Sequence, residues 1–367
     1  MSPSPLHIGF IIDGLAGGGA ERTVLTLARA MVARACRVTL VLLRDEQAYP
    51  LPEGVECLHV FDQYRGPGRR QSEVWRRAKQ LTRALTQRFG TRPFDLAFSS
   101  LPKTDRIVAA TPCLRHTWLC LHGALAQTQL SNKHGLTRWL KQRQLSRTYS
   151  GRAWVAVSPG LAEDLIALTN ARPDRVEVIS NPFDFADIRQ RATLPCPLEG
   201  EDFLLHIGRF HPIKRHDRLL AAFQQSGYSG KLVLLGTGTP EQCQQLHQSI
   251  AQQGLTQRVY FAGFTDNPYP YLRTAKALVL SSDSEGFGNV LVEALICGTP
   301  VISTACPHGP VNILTGDLAR GLCAPTDAAL AETIRLILKN PPVARPEDLA
   351  RFALEPITDR YLALATS

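Results

Sequence analysis

The chain has 367 residues, 44% apolar and 20% charged, with a formal net charge of +9. That length exceeds one comfortable core and predicts two domains, and the composition excludes a disordered, fibrous or low-complexity chain. The nine cysteines are scattered, odd in number and never spaced C-x-x-C, which argues for buried thiols over a disulfide frame or zinc site.

The first apolar run, HIGFIID at 7–13, follows no positive segment and ends in Asp13, so it reads as a core strand and not as a secretion signal. No stretch approaches the ~18 apolar residues of a membrane span, and a cytosolic protein is expected. Further strands are predicted at 37–43, 55–60, 95–100, 116–122, 154–158 and 176–180. A second series lies at 203–208, 231–236, 259–263, 277–282, 301–304 and 321–324. Most are apolar throughout, as parallel strands covered on both faces are. Amphipathic segments of helical length separate them, so each series predicts a doubly wound α/β sheet. The Pro-containing stretch 181–202 reads as the linker between domains 1–182 and 183–345, and a final helix is expected over about 346–364 after Pro341-Pro342.

Charge divides unevenly along this order: residues 1–180 carry +11 and residues 181–367 carry −2. Arg65, Arg69, Arg70, Arg76, Arg77, Lys79 and Arg83 form one basic cluster. Lys133, Arg138, Lys141, Arg143 and Arg147 form a second. Such a front half suits an anionic surface or ligand, although solvated helix faces would give the same count.

Three segments carry candidate chemistry. Gly17-Gly18-Gly19-Ala20-Glu21-Arg22 follows the first strand, where glycines permit a sharp turn and expose helix-start amides to an anion. It is neither G-x-G-x-x-G nor a G-x-x-x-x-G-K-S/T phosphate loop, and a tight turn without a ligand would read the same. Gly208-Arg209-Phe210-His211-Pro212-Ile213-Lys214 sets two cations five residues apart on a strand-to-helix loop. A diphosphate leaving group needs such charge, whereas a helix start does not favour it. Ser284-Glu285-Gly286-Phe287-Gly288-Asn289-Val290-Leu291-Val292-Glu293 passes from a loop into a helix near Asn289. Its two carboxylates can address one elongated ligand, and Glu293 sits among apolar residues, where a chance acid is uncommon. Gly236-Thr237-Gly238 forms another strand-end loop able to meet a nucleotide. No metal-ligand cluster is visible in the sequence, and Arg209 and Lys214 can supply a cation's charge.

GGAER, GRFHPIK, LLGTG, EGFGNVLVEAL and CGTPVIST resemble the family-4 retaining glycosyltransferases over nearly the whole chain, most strongly at 200–305. The resemblance implies the GT-B fold: two facing Rossmann-like domains, the first for the acceptor and the second for the donor, with a C-terminal helix over 346–367 returning toward the first. It implies that Arg209 and Lys214 hold the donor diphosphate, that Glu285 faces the transferred sugar and that Glu293 holds the ribose hydroxyls. Amides of Phe287, Gly288 and Asn289 would line the phosphates, with Gly18, Gly19, Gly236 and Gly238 also at the donor and Gly17, Glu21 and Arg22 at the acceptor. His122, ending a strand, matches a first-domain histidine beside the reacting sugar; a satisfied core histidine is the alternative, and Gly123 stands where many relatives carry Asp or Asn. The segment around His308 resembles members that use UDP-galactose-type or UDP-N-acetylhexosamine donors.

The implied reaction moves a hexose or N-acetylhexosamine from a UDP-sugar to a saccharide or lipid-linked saccharide of a bacterial surface glycan, without cofactor, metal or nucleic acid. Peripheral contact with the anionic inner membrane is the expectation from charge. A UDP-sugar 2-epimerase shares the architecture but fits the paired glutamates less well. A non-catalytic nucleotide-sugar-binding protein is disfavoured by the intact charged set.

Overall fold

The computed structural model describes residues 5–15, 18–46 and 49–366. They form two compact units, one of residues 1–182 with 354–367 and one of residues 183–353.

The first unit holds β1 (His7–Ile12), β2 (Arg37–Leu42), β3 (Val55–His59), β4 (Leu96–Ser100), β5 (Trp118–Leu121), β6 (Ala153–Ala156) and β7 (Arg175–Val178). Its helices are α1 (Gly19–Ala33), α2 (Arg69–Phe89), α3 (Pro102–Ala109), α4 (Leu125–Leu130), α5 (Gly135–Tyr149) and α6 (Pro159–Thr169). The sheet runs β3-β2-β1-β4-β5-β6-β7 and every pairing is parallel. Because helices cover both faces, the central strands are apolar on both sides: Ile11 packs into the layer beneath Leu81, Ile107, Leu145 and Tyr149, and Phe10 into the layer beneath Val24, Leu27 and Tyr361.

The second unit holds α7 (Phe185–Ala192), then β8 (Phe203–Ile207), α8 (His216–Ser226), β9 (Lys231–Leu235), α9 (Pro240–Gln252), β10 (Val259–Gly263) and α10 (Tyr269–Thr274). It continues with β11 (Ala277–Leu280), α11 (Asn289–Ile296), β12 (Val301–Thr304), α12 (Pro310–Ile313), β13 (Leu322–Cys323), α13 (Asp327–Lys339) and α14 (Pro346–Leu349). Its parallel sheet runs β10-β9-β8-β11-β12-β13. Among the described residues, each of the thirteen strands lies on one of the predicted apolar runs.

Two expectations need correction. The stretch 181–202 contains α7, started by the Asp184 side chain, which accepts from the Asp187 amide at 3.0 Å. The prolines flank that helix and do not interrupt it. The expected helix over 346–364 is two helices: α14 passes into a 3-10 turn at Ala350–Phe352, Ala353 is extended, and α15 (Leu354–Ala363) follows. Residues 346–353 stay with the second unit, where the Phe183 amide donates to the Phe352 carbonyl at 2.9 Å. Only α15 joins the first unit, where Tyr361 meets Phe98 edge-on at 5.2 Å and Arg34 of α1 pairs with Glu355 and Asp359.

The first basic cluster also needs revision. Arg77 is 3% exposed and is held by Asp13 at 3.1 Å, Glu73 at 3.3 Å and the Leu43 carbonyl at 2.6 Å; Arg76 pairs with Asp62. Both charges serve the first unit internally. Among the described residues no helix is long and apolar enough to cross a membrane.

Candidate active site

In a doubly wound sheet the ligand position is the carboxyl edge where the chain switches direction. In the second unit that point lies between β8, from which the chain first turns to β9, and β11, with which it returns to the other side. The loop after β8 carries Gly208 to Lys214, and the loop after β11 carries Ser281 to Gly288. Parallel pairing of Leu204 with Ala277 and Leu205 with Leu278 brings these distant segments side by side.

Hydrogen bonds fix the two loops to each other. The Asp283 amide donates to the Ile213 carbonyl at 2.9 Å, and Ser281 Oγ donates to the Lys214 carbonyl at 2.7 Å. Arg218, buried on α8, donates to the Ser281 carbonyl at 2.7 Å and pairs with Asp283 at 2.8 Å. On this frame Lys214 Nζ lies 2.6 Å from Glu285 Oε1, and Ser282 Oγ donates to the same oxygen at 2.6 Å. The two charged side chains are 19% and 11% exposed, accessible enough for a ligand to compete for either. Arg209 is exposed and, among the described residues, forms no ion pair. Among the described residues the edge therefore presents the Arg209 guanidinium without an ion pair and the Lys214 ammonium held by a carboxylate.

The glycines have steric reasons. Gly236 has φ +151°, and a Cβ there would lie 2.0 Å from the Gly208 carbonyl oxygen, so the β9 loop can pass the β8 loop only without a side chain. Gly288 adopts φ +88° as the residue capping α11, whose second turn places Glu293 in the interior at 5% exposure. The negative charge of Glu293 adds to the burial that pushes the Cys297 thiol up to about 12. Phe287 points into the core, stacked on Phe183 and edge-on to Phe352. The chain at Glu285 bridges in parallel to His308, a buried residue with φ +78°.

Several participants were missed in the sequence. His206, completely buried near the end of β8, donates from Nδ1 to the Val279 carbonyl at 2.9 Å, and its ring lies edge-on to His216 at 4.9 Å. Burial holds both imidazoles below their ordinary range, His216 at about 4, with the Lys214 charge adding to the effect. They form a neutral layer beneath the Gly208–Lys214 loop, where a Cβ added at Gly208 would lie 3.5 Å from His206 Nε2. Ser281 and Ser282 were legible only as polar ends of an apolar strand.

The first unit has its own switch point, between β1 and β4. Gly18 caps α1, and the Glu21 carboxylate folds back so closely that a Cβ on Gly18 would meet it at 2.4 Å. Glu21 is buried; Arg22 stacks its guanidinium over Tyr49 at 5.7 Å. Gly17 lies outside the described residues. His122 follows β5 and Ser100 ends β4, with His122 Nε2 3.1 Å from Ser100 Oγ. Burial lowers the His122 pKa to about 4, so the ring is neutral at pH 7, and its buried Nδ1 has no hydrogen-bond partner among the described residues. Gly18, Gly19, Glu21 and His122 thus gather at one carboxyl edge, as Arg209, Lys214, Glu285 and Gly288 gather at the other.

Comparison with known proteins agrees with this double arrangement. The model of Glycosyltransferase Family 4 matches residues 17–187, and that of Glycosyl transferases group 1 matches residues 195–354. An N-acetylgalactosamine-N,N'-diacetylbacillosaminyl-diphospho-undecaprenol 4-alpha-N-acetylgalactosaminyltransferase of Campylobacter jejuni is 27% identical over 322 residues, 87% of this chain and 86% of that protein. The lipopolysaccharide 1,6-galactosyltransferase of Escherichia coli is 32% identical over 183 residues, 48% of this chain and 49% of its own length. Among solved structures, Anabaena Alr3699/HepE in complex with UDP and glucose superposes with a TM-score of 0.77 at 20% identity, covering 98% of this chain and 99% of that one. With each half matched by its own family model, the chain belongs to the family-4, group 1 glycosyltransferases of GT-B fold.

Proposed function

We propose that the protein transfers a hexose or N-acetylhexosamine, with retention of configuration, from a UDP-sugar to a lipid-linked or lipopolysaccharide saccharide acceptor. The observation that carries this reading is the Lys214–Glu285–Ser282 constellation at the switch point of the second unit, with Arg209, which forms no ion pair among the described residues, in the same loop as Lys214. A carboxylate that must bind sugar hydroxyls next to a diphosphate needs a cation between them, and Lys214 stands in contact with it.

In this reading the bond from the anomeric carbon to the diphosphate oxygen breaks as the bond to the acceptor oxygen forms on the same face. The acceptor proton passes to the departing diphosphate, whose growing charge Arg209 and Lys214 stabilise. Glu285 accepts from sugar hydroxyls and Glu293 from the ribose. His122 serves as a neutral hydrogen-bonding group, because its burial disfavours the imidazolium. The Anabaena structure is a complex with UDP and glucose, and the names of the two relatives specify an α-linked N-acetylgalactosaminyl transfer onto a diphospho-undecaprenol saccharide and a galactosyl transfer onto lipopolysaccharide. These names support the donor, acceptor and stereochemical parts of the proposal.

Thermal-shift screening against UDP-, GDP- and ADP-sugars tests the donor, since a ligand of the folded state raises the midpoint with concentration. Incubation of the stabilising donor with undecaprenyl-diphosphate saccharides, followed by NMR of the product anomer, tests the reaction. A UDP-sugar should stabilise and give an α-linked product. Stabilisation only by a GDP- or ADP-sugar, or an inverted product, overturns the assignment.

A further inference from the structure

Between Arg106 and Leu161 the sequence has no acidic residue and eight Lys or Arg. α5 lies in the middle of this segment. Its C-terminal half is anchored in the first unit by Leu145, Thr148 and Tyr149. Its opposite side carries Leu136, Trp139, Leu140, Arg143 and Arg147, spaced to form one stripe along the helix. Leu136 is 70% exposed, Trp139 50% and Leu140 53%. The Arg143 guanidinium sits over the Trp139 ring at 5.3 Å. Among the described residues none of Lys133, Arg138, Lys141, Arg143 and Arg147 forms an ion pair, unlike Arg76 and Arg77 of the first cluster. Burial, and to a lesser degree the neighbouring charges of Arg106 and Lys133, depress the Lys141 pKa.

We infer that this face of α5 docks the protein on an anionic lipid bilayer. Leu136, Trp139 and Leu140 enter at headgroup depth, where an indole is favoured, while Lys133, Arg143 and Arg147 meet lipid phosphates. Charge complementarity selects this occupant. A second copy would set one uncompensated basic stripe against another, and a neutral partner would leave those cations desolvated and unpaired. The inference does not depend on which sugar is transferred.

The test is co-sedimentation of the full-length protein with vesicles of phosphatidylethanolamine and phosphatidylglycerol, against vesicles of phosphatidylcholine. Binding should require the anionic lipid and be lost between about 0.05 and 0.5 M salt as screening shortens. The Arg143→Gln/Arg147→Gln variant should lose about thirtyfold in partitioning, from about fivefold for each cation near the surface. Trp139→Ala should weaken binding while leaving the thermal midpoint unchanged, because the ring is half exposed. In a Trp75→Phe background Trp139 is the exposed indole, Trp118 and Trp154 being buried, and brominated lipid should quench it. Equal binding to neutral and anionic vesicles, undiminished binding of the double variant, or an unquenched Trp139 overturns the proposal. So does a Trp139→Ala variant that converts a dimer to a monomer without altering vesicle binding. Vesicle binding is read without turnover, so its failure leaves the transferase reading intact, and an inactive protein that still binds vesicles leaves this one intact.

Discussion

Replacing Lys214 by Met separates the two tasks that the structure gives its ammonium. One is to neutralise Glu285 at 2.6 Å; the other is the proposed stabilisation of the leaving diphosphate. Without the ammonium, Glu285 keeps Ser282 Oγ but remains a largely buried charge with its cation gone. A charge-assisted hydrogen bond at such a site contributes about 2 kcal/mol. For a unit of this size that loss lowers the unfolding midpoint by about 4–8 °C. Loss of transition-state charge should separately cut kcat by about 10²–10³-fold. The Lys214→Met/Glu285→Gln double variant removes both charges, so it should recover most of the midpoint while turnover stays down. The assays are differential scanning fluorimetry and initial rates of UDP release with acceptor present. Near-normal kcat in Lys214→Met would refute the diphosphate role. A double variant no more stable than the single one would refute the pairing argument.

The two glutamates should differ in what they bind: Glu293→Gln weakens UDP itself, while Glu285→Gln spares UDP and removes the added affinity of the sugar, and calorimetric titration with both ligands checks this. Equal loss of UDP affinity in both variants would show that Glu285 has been given the wrong partner. The first unit should also carry a pH-dependent term at Asp105, a buried carboxyl hydrogen-bonded by Ser99 and Tyr149, each at 2.6 Å. Burial raises it from 3.8 to about 7, so the folded chain keeps a proton that the unfolded chain releases near pH 4. Its stabilising contribution is complete below pH 4 and lost as pH rises through 7, a change of about 4 kcal/mol. Urea denaturation of Asp105→Asn should show that slope abolished; an unchanged slope between pH 4 and 7 would exclude Asp105 as its source.

Strand positions were legible because a parallel strand buried on both faces must be apolar throughout, and such runs stand out between polar helices. The charged types at the candidate site were legible for a related reason: Arg209 and Lys214 break the apolar pattern at one strand end, and Glu293 does so within a buried helix. α7 was hidden because three prolines in 181–202 outweighed the short cap at Asp184. The division of the last helix was hidden because nothing in the local sequence separates the part that packs beside Phe183 from the part that packs on Phe98.

The sequence by itself therefore determined the two α/β units, their strands and the identity of the charged residues, since each depends on local composition and period. Tertiary structure alone decided that β11 lies beside β8, which joins Lys214 to Glu285 across 71 positions of sequence. It also decided that Arg77 is spent inside the first unit while Arg143 and Arg147 remain exposed, because arginines identical in sequence terms differ only in whether a distant carboxylate folds against them.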